Sequence, residues 1–376
     1  YEQIIEHLDG MHNETIRTFE SSGSKVIDLA KMCEELVEDR GNNPPEEVGF
    51  MSHYPTLNKI FGSIFRAGNM TCFAARAKAG KSSIAIDLLL EASYRYKVPV
   101  LHFDNGEMSA EELVFRMVSN MSGIPMHLLE SGEWRHASYE DWSSKEVVER
   151  VRSVWERVKG IKIMYENVSG LSPEEMIGLL KRLYYSEVGR GNPLVFSFDY
   201  IKSDFASLGK GSEWAYVGKM LDAFKQAITK SLVFDGKPVV SMLTSLQQNR
   251  IGIVSNKSSD TVVDDESTLS LSDNVIQFVS HLFILRAKTL DELGDHGDKF
   301  GTHKLICLAA RHLGKEPFAH LYPIDMPDGT MQKNFINLRF NNFRVTDCGD
   351  LRDINKAKAA GVAMNGDEDS GLPAGL

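Results

Sequence analysis

The sequence predicts an α/β protein whose core is a largely parallel, twisted sheet flanked by helices. Apolar runs rich in β-branched residues recur at 69–75, 98–104, 194–198, 238–245, 281–287 and 304–310. Helical segments lie between several of them, at 81–96, 109–122, 145–158, 172–187 and 214–231. Nearly continuous apolar strands that alternate with helices are typical of a parallel sheet covered on both faces. Since such sheets bind ligands beyond the carboxyl ends of their strands, polar residues at those ends are the functional candidates.

Three segments are predicted along the chain. Residues 1–45 form a linker-helix region, because an apolar stripe over 24–39 ends at a Gly-Asn-Asn-Pro-Pro breaker. That helix either packs on its own domain or docks on a neighbouring subunit. Residues 46–350 form the large α/β domain, and residues 351–376, with Gly, Ala and an acidic cluster, form a flexible tail. Because the chain begins with Tyr1 rather than Met, we expect a fragment or a processed product.

Composition and charge narrow the function classes. The 376 residues carry 42 basic and 52 acidic side chains, a net charge of −10, so a strongly basic nucleic-acid-binding surface is not indicated. A few lysines lining a channel would still bind nucleic acid inside an acidic shell. Four cysteines without a C-x-x-C pair indicate neither a disulfide framework nor a zinc site. No apolar run reaches the ~18 residues that span a membrane, and no signal peptide begins the chain, so we expect a cytoplasmic protein with no membrane partner.

The segment ARAKAGKS at 75–82 is one residue away from the phosphate-loop pattern G-x-x-x-x-G-K-[ST]. Alanine takes the place of the first glycine, at the strand exit, where a negative φ would tolerate it. In such loops, backbone N–H groups surround the phosphates of a nucleotide at a helix N-terminus. The predicted phosphate-binding residues are Ala75, Arg76, Ala77, Lys78, Ala79, Gly80, Lys81, Ser82 and Ser83.

Two side chains of this loop have predicted chemical roles. Lys81 would contact the β- and γ-phosphates, and the Ser82 hydroxyl would ligate Mg²⁺. The apolar run before the loop and the helical pattern after it are the context that the motif requires. The alternative is an ordinary strand-turn-helix that contains Gly-Lys-Ser by chance.

Asp199 ends the apolar run LVFSFD at 194–199. An aspartate at the end of a neighbouring strand bonds the Mg²⁺ shell opposite the loop serine, so Ser82 and Asp199 are the predicted metal residues. On its own, an apolar run that ends in Asp indicates no more than a helix or turn cap. Its place after a phosphate loop favours the metal role.

Glu107 follows the predicted strand 98–104 in the segment DNGEMSAEEL. A carboxylate there can polarise the water that attacks the γ-phosphate. The alternative is an acid that complements the dipole of the next helix. Ser109 and Glu112 predict a capping box for that helix, which accounts for Glu112 and leaves Glu107 as the candidate catalytic base.

Gln247 and Arg311 are the last two candidates, each at the end of a strand. The segment LTSLQQNR places the Gln247 amide directly after an apolar run, where it can hydrogen-bond the γ-phosphate and relay its presence into the next loop. Arg311 follows the run 304–310. In a monomer it would be a surface or salt-bridged arginine, whereas in a ring it could reach the next subunit's γ-phosphate as an arginine finger.

With these elements in chain order, the sequence resembles the C-terminal motor domain of DnaB-type replicative helicases, a group with the RecA-like P-loop ATPase fold. The matching segments FRAGNMTCFAARAKAGKSS, FDNGEMSAEELVFRM, VFSFDYIKS and SLQQNR lie within residues 48–345. The family often has alanine at the first loop position, so the resemblance accounts for Ala75. It also implies that Glu107 is the catalytic glutamate and that Gln247 stands at the family's glutamine.

The resemblance implies an ATP-dependent replicative DNA helicase. Such a protein is a homo-hexameric ring that hydrolyses ATP with Mg²⁺ at subunit interfaces and moves along single-stranded DNA through its channel. The polar loops 202–213 and 250–273 would face that channel. The cations available there for DNA are Lys202, Lys210, Arg250 and Lys257. A primase or a helicase loader would be a further partner.

Three departures from the family bear on these expectations. The family has Lys-x-Arg on the last strand, and here Ala309 stands at the lysine. The family's DNA-binding loop carries an Arg-Glu pair, where this chain has Asp265 and Glu266. The family's globular N-terminal domain has no counterpart in the sequence. This divergence is more phage-like than bacterial, which would place the protein in a host cytoplasm.

Two other function classes stay open. A RecA-type ATPase could act as an assembly switch or a recombination accessory factor without unwinding DNA. A non-enzymatic loader or inhibitor could keep the same fold. The presence together of Lys81, Glu107 and Asp199 argues against a dead ATPase, and the segments EMSAEEL and QQNR favour the helicase over the switch.

Overall fold

The computed structural model describes residues 29–45, 48–201, 213–248, 272–326 and 329–361. The chain divides into two units, Tyr1–Glu46 and Glu47–Leu376. The first contains helix α1, Leu29–Asn42, whose apolar residues Leu29 and Leu36 are exposed. The second contains every other helix and strand of the described residues.

The second unit is built on one large sheet. Its described strands are β1 Met70–Ala75, β2 Val100–Asp104, β3 Ile163–Asn167, β4 Leu194–Ile201, β5 Val233–Phe234, β6 Lys237–Pro238, β7 Val240–Gln247, β8 His281–Ala287, β9 His303–Ala310, β10 Ile324–Asp325, β11 Met331–Gln332, β12 Ile336–Asn341 and β13 Arg344–Asp350. Nine of these described strands pair in the order β13-β12-β9-β8-β1-β7-β4-β2-β3, and β5-β6 and β10-β11 are separate two-stranded pairs. Strands β8, β1, β7, β4, β2 and β3 run parallel, whereas β9, β12 and β13 are antiparallel. The predicted, largely parallel sheet is confirmed.

Helices connect the strands. Those of the second unit that the structure describes are α2 Pro55–Phe61, α3 Lys81–Tyr96, α4 Ala110–Ser122, α5 Met126–Ser131, α6 Ser144–Val158, α7 Pro173–Leu183, α8 Glu213–Gln226, α9 Ser272–Phe278, α10 Leu290–His296, α11 Phe318–Leu321 and α12 Leu351–Ala359. Ser143 and Ser172 begin α6 and α7 with reciprocal capping boxes, which satisfy backbone N–H groups that a helix start leaves free. Among the described residues, no helix combines the length and the apolarity needed to cross a membrane.

Both faces of the sheet are covered, and β1 shows why. Its side chains alternate between faces, as the pleat of a strand requires. Cys72 and Ala74 belong to the apolar cluster on one face, while Phe73 and Ala75 belong to the cluster on the other. Every residue of β1 is therefore buried, which is the physical reason for its uninterrupted apolar sequence.

Strand β3 and helix α12 are two of the elements that differ from the sequence-based expectation. Strand β3 was not predicted, because it is an edge strand whose side chains are only half-buried, so its sequence IMYEN lacks a continuous apolar run. Helix α12 occupies the start of the predicted flexible tail. Asp350 caps its first turn, and Leu351 and Ile354 are 0% exposed, so ordered packing continues past the expected boundary at residue 350. Residues 362–376 of that tail lie outside the described residues.

Candidate nucleotide-binding site

The predicted phosphate loop joins β1 to α3. Gly80 is the residue before the helix, with φ +90°, and it offers no side-chain cap to the first turn. The backbone N–H groups at the start of α3 are therefore available to an anion, and the helix dipole favours negative charge there. Lys78 also has a positive φ, of +63°, so the chain turns sharply between strand and helix.

The two small residues that frame the loop have different structural roles. Ala75 is buried in the extended backbone of β1, where a glycine is not required. Gly80 is required twice, by its positive φ and by the ring of Phe340 on β12. A Cβ at Gly80 would lie 2.7 Å from Phe340 Cε1, closer than ordinary contacts allow.

Ser82 and Asp199 meet although 117 positions separate them. The Ser82 hydroxyl donates to Asp199 Oδ2 at 3.1 Å, and the Ser245 hydroxyl donates to Asp199 Oδ1 at 2.5 Å. Asp199 is 2% exposed, and the parallel pairing of β4 with β7 places Ser245 beside it. Hydroxyl and carboxylate oxygens are the ligands that Mg²⁺ prefers.

The Lys81 side chain points toward the same carboxyl end of the sheet. It is 7% exposed, and its Nζ lies 4.2 Å from the centroid of the Tyr200 ring. An ammonium over an aromatic face is attracted by about 0.5–2 kcal/mol. Tyr200, the residue after Asp199, therefore holds the Lys81 ammonium over its ring, a role that sequence reasoning did not assign to it.

Glu107 lies in the turn that follows β2 and is exposed. Burial raises the pKa of Tyr200, and the charges of Glu107 and Asp199 raise it further. Both carboxylates are thus close enough to Tyr200 to act on it. The structure gathers Lys81, Ser82, Glu107 and Asp199 at one edge of the sheet.

Asp104 is a site residue that sequence reasoning missed. It is the last residue of β2, is 0% exposed, and its carboxylate accepts hydrogen bonds from the backbone N–H groups of Glu107 and Met108 at 2.7 and 3.1 Å. Asp104 therefore fixes the turn that carries Glu107. The signal was present, since Asp104 follows an apolar run just as Asp199 does.

Asn105 ties that turn to the neighbouring strand. Its backbone N–H donates to the Asp199 carbonyl at 2.8 Å, and its side-chain amide donates to the Tyr200 carbonyl at 3.3 Å. These bonds hold β2 and β4 in register at the point where both carry acidic residues.

The helix start after Glu107 follows the prediction only in part. The Ser109 hydroxyl accepts a hydrogen bond from the Glu112 N–H at 3.1 Å, as expected for a helix cap. The return bond of a capping box is absent from α4, and the Glu112 carboxylate instead pairs with Arg116, one turn further along. The predicted capping box is wrong in that half, because the i,i+4 ion pair is the alternative partner for Glu112.

Gln247 ends β7 beside the phosphate loop. It is the register partner of Ala75 across the parallel pair β1-β7, and its side chain is exposed. The next residue, Gln248, donates its backbone N–H to the Ala75 carbonyl at 3.0 Å. Gln247 therefore lies beside the first residue of the loop, and its role toward the terminal phosphate stays a prediction.

Arg311 lies at the opposite edge of the sheet. Its backbone N–H donates to the Ser280 carbonyl at 2.7 Å, and the Ser280 N–H donates to the carbonyl of Met70, the first residue of β1. The phosphate loop follows the last residue of β1, about 20 Å away, because six residues rise about 3.3 Å each. Arg311 is exposed and far from the phosphate loop of its own chain.

The predicted DNA-binding residues Lys202, Lys210, Arg250 and Lys257 lie outside the described residues.

Known proteins share sequence and fold with this chain. Residues 49–203 match the family model described as DnaB-like helicase C terminal domain. The chain is 27% identical over 233 residues to the replicative DNA helicase DnaB of Buchnera aphidicola subsp. Baizongia pistaciae, covering 61% of this chain and 47% of the relative. It is 27% identical over 166 residues to a probable plasmid replicative DNA helicase of Chlamydia trachomatis, covering 42% and 35%. The chain thus spans about half the length of these relatives or less.

Two solved structures share the fold. One is described as an ATPase domain, with a TM-score of 0.62 and 14% identity over 85% of this chain and 98% of that chain. The other is a DnaB-like replicative helicase studied with its primase interactions, with a TM-score of 0.61 and 14% identity over 92% and 73%. The RecA-like fold expected from the resemblance is confirmed.

Proposed function

We propose that this chain, whose residues 49–203 match the model of the DnaB-like helicase C terminal domain, is the ATP-hydrolysing motor of a replicative DNA helicase. The observation that carries the proposal is the meeting of Ser82 with Asp199, 3.1 Å apart, beside the uncapped start of α3. A helix N-terminus, a lysine and a serine-aspartate pair together form a site for a metal-bound triphosphate.

Different residues of the chain bind the phosphates and the metal ion. The N–H groups of 76–83 and the Lys81 ammonium bind the phosphates of ATP. Ser82 and Asp199 would hold Mg²⁺, and when bound this ion neutralises charge on the phosphate oxygens. Among the described residues, no three His, Cys, Asp or Glu side chains come together as a metal cluster. Few protein ligands suit Mg²⁺, which keeps phosphate and water oxygens in its shell.

Glu107 is the proposed general base. It stands at the same edge as Asp199, exposed and held in its turn by Asp104. From there its carboxylate would accept a proton from the water that attacks the terminal phosphorus atom, while the phosphoryl group leaves ADP. Gln247, beside Ala75, would sense whether the terminal phosphate is present.

Arg311 needs a second copy of the chain to take part. Because it lies at the other edge of the sheet, its proposed partner is the nucleotide of a neighbouring subunit. A contact between unlike edges repeats head to tail and closes into a ring when the rotation allows. We infer a homo-hexamer of this kind, with residues 46–359, which include helix α12, as the motor and residues 1–45 as the linker.

Single-stranded DNA is the proposed track. The predicted DNA-binding cations belong to segments 202–213 and 250–273, which the sequence predicts as loops, and contacts to the DNA backbone would make affinity fall steeply as salt rises. A primase or a helicase loader is a further proposed partner, and the cytoplasm is the proposed location.

A strand-displacement assay tests the proposal. Wild type should release a labelled strand from a forked DNA duplex with ATP and Mg²⁺, and Lys81→Ala should not, because the terminal phosphates lose their cation. Lys145→Ala, a change on the exposed side of α6, is the matched control and should behave as wild type. ATP hydrolysis without strand release in wild type would favour the assembly-switch function instead.

A further inference from the structure

A cluster of positive charge lies at the edge of the sheet where β1 begins. It consists of Arg66 before β1, Lys225 on α8, and Arg311 and His312 after β9. These residues are far apart in the sequence, and the sheet brings them together. Burial lowers the pKa of His312, and the nearby charges of Arg66, Arg311 and Lys225 lower it further.

Lys225 is the member of this cluster that lies on a helix. It is half-buried, and its Nζ donates to the Gly68 carbonyl at 2.8 Å. Burial, followed by the charge of Arg311, lowers the pKa of Lys225 to about 8. A lysine that is pushed toward neutrality in this way gains free energy when an anion arrives.

Arg66 contributes a buried hydrogen-bond donor to the cluster. Its Nε atom is buried and has no hydrogen-bond partner among the described residues. A buried donor without a partner costs about 1–3 kcal/mol. A bound oxyanion would remove that cost and would match the fork of the guanidinium.

Acidic groups do not neutralise the cluster within the described ranges. Arg66, Lys225 and Arg311 form no salt bridge there, and no carboxylate acts on the pKa of Lys225 or His312. Cations gathered without acids are a site for a compact anion of high charge. A nucleic-acid strand would instead favour cations spaced along a groove.

We propose that Lys225, together with Arg66 and Arg311, binds the terminal phosphate of ATP held by the phosphate loop of a second copy of this chain. The inference rests on the proposed function and extends it by naming two residues that act across the interface with Arg311. Lys81 of the same chain is about 20 Å from this cluster, at the other end of β1. The phosphate must therefore come from another molecule. There Lys225 would stabilise the negative charge that develops as the phosphoryl group transfers.

A purely structural role for Lys225 makes a different prediction. If Lys225 only supports the turn at Gly68, its loss lowers ATP turnover in the chain that carries the substitution and leaves the neighbouring chain unaffected. If it acts across an interface, a chain with an intact Lys225 can restore the function of a neighbour that lacks it. Mixed assemblies distinguish the two.

The test co-expresses Lys225→Met and Lys81→Ala with different affinity tags and purifies assemblies that contain both. Each variant alone should hydrolyse ATP at least about 10-fold more slowly than wild type, since removing one oriented donor costs about 10²–10³ in kcat at comparable sites. In mixed assemblies, the intact loop of one variant meets the intact Lys225 of the other. Turnover should then rise to as much as about a quarter of the wild-type rate, the share of such pairs in a random head-to-tail ring.

Lys230→Met is the matched control, because Lys230 is an exposed lysine in the helical turn that continues α8. It should keep wild-type turnover. The inference is overturned if Lys225→Met also keeps wild-type turnover, or if the mixed assemblies are no faster than the separate variants. It is likewise overturned if Lys225→Met loses DNA affinity but keeps DNA-free turnover, which would assign the cluster to DNA. Failure of wild type to hydrolyse ATP would instead reject the proposed function.

Discussion

Three carboxylates at the carboxyl edge of the sheet have three different environments. Asp104 is buried and bonded to backbone N–H groups. Asp199 is buried and bonded to two hydroxyl groups. Glu107 is exposed. Charge alone does not distinguish these residues, but their environments do: Asp104 holds the turn, Asp199 is the proposed metal ligand, and Glu107 is the proposed base for the attacking water.

Asp104→Asn tests whether Asp104 positions Glu107. The amide has one acceptor oxygen and no charge, and its NH₂ group takes the place of the Oδ2 atom that accepts from the Met108 N–H, so these bonds weaken and the turn loosens. We expect kcat for ATP to fall about 10- to 100-fold while KM changes little, because misplacement by about 1 Å can cost as much as 10²-fold. Steady-state kinetics measure both, and the exposed Asp141→Asn is the control. An unchanged kcat would mean that Glu107 is placed by other contacts.

The pH dependence of ATP turnover tests Lys225 at the residue scale. Its pKa is about 8, lowered by burial and by Arg311, and Arg66 and His312 are the other charged or titratable groups of its cluster. As pH rises through 8, the charged form of Lys225 disappears, so kcat/KM of wild type should fall. Lys225→Arg stays charged and should keep its kcat/KM to higher pH. The same fall in both proteins would assign the titration to another group.

At the scale of elements, the phosphate loop is constrained by a strand that follows it by more than 250 positions. Phe340 on β12 lies against Gly80, and the ring of His303 on β9 lies 4.3 Å from the ring of Phe340. The antiparallel part of the sheet thus closes one side of the loop. This part of the sheet contributes to the loop by packing, because Phe340 limits the space beside Gly80 at the start of α3.

Gly80→Ala tests this constraint. The new side chain would need a positive φ, which costs about 1–2 kcal/mol, and would meet Phe340 at 2.7 Å. We expect weaker ATP binding in calorimetry and a lower free energy of unfolding. Adding Phe340→Ala should relieve the collision but not the strain in φ, so recovery is partial. Gly178→Ala on α7, where nothing lies within 4 Å, is the control and should be neutral or stabilising.

The sequence predicted the elements and site residues whose signals are local. Buried strands such as β1 are apolar throughout, and Lys81 and Ser82 follow from a loop motif. Edge strand β3 was missed because only half of its surface is covered. The roles of Asp104, Tyr200, Ser245 and Lys225 were missed because their partners are distant in sequence. Asp104 lies beside Asp199 only through the pairing of β2 with β4, and Lys225 meets Arg311 only in the folded sheet.

At the scale of the whole molecule, the buried His281 and His296 and the half-buried His303 couple stability to pH. Burial lowers the pKa of His281 and His303 to about 4 and that of His296 to about 3. The unfolded chain binds these protons near pH 6.5, so between pH 6.5 and 4 it holds more protons than the folded chain. The free energy of unfolding therefore falls as pH falls through that window.

Urea unfolding at pH 7, 6 and 5 measures this effect. Each of these histidines contributes a slope of up to about 1.4 kcal/mol per pH unit, and we expect a progressive loss of stability below pH 6.5. His296→Leu should flatten the slope, whereas His136→Gln, at an exposed position, should leave it unchanged. Stability that stays constant from pH 7 to 5 would contradict the assignment of these rings as buried and neutral.

The two edges of the sheet carry complementary halves of one proposed reaction site. The phosphate loop, Asp199 and Glu107 are at the edge where β1 ends, and Arg311 and Lys225 are at the edge where it begins. A single chain therefore holds both halves too far apart to use together. Head-to-tail assembly would join them, and a closed ring is the arrangement in which every site is complete.

The most direct measurement is the rate of ATP hydrolysis with and without single-stranded DNA, for wild type and for Glu107→Gln. We expect DNA to stimulate wild-type turnover. Glu107→Gln should hydrolyse ATP about 10²–10⁴-fold more slowly than wild type, because this is the usual contribution of a general base. Glu111→Gln, an exposed change on the first turn of α4, should match wild type. Hydrolysis by wild type that ignores DNA would contradict the motor function, and full activity of Glu107→Gln would contradict the proposed base.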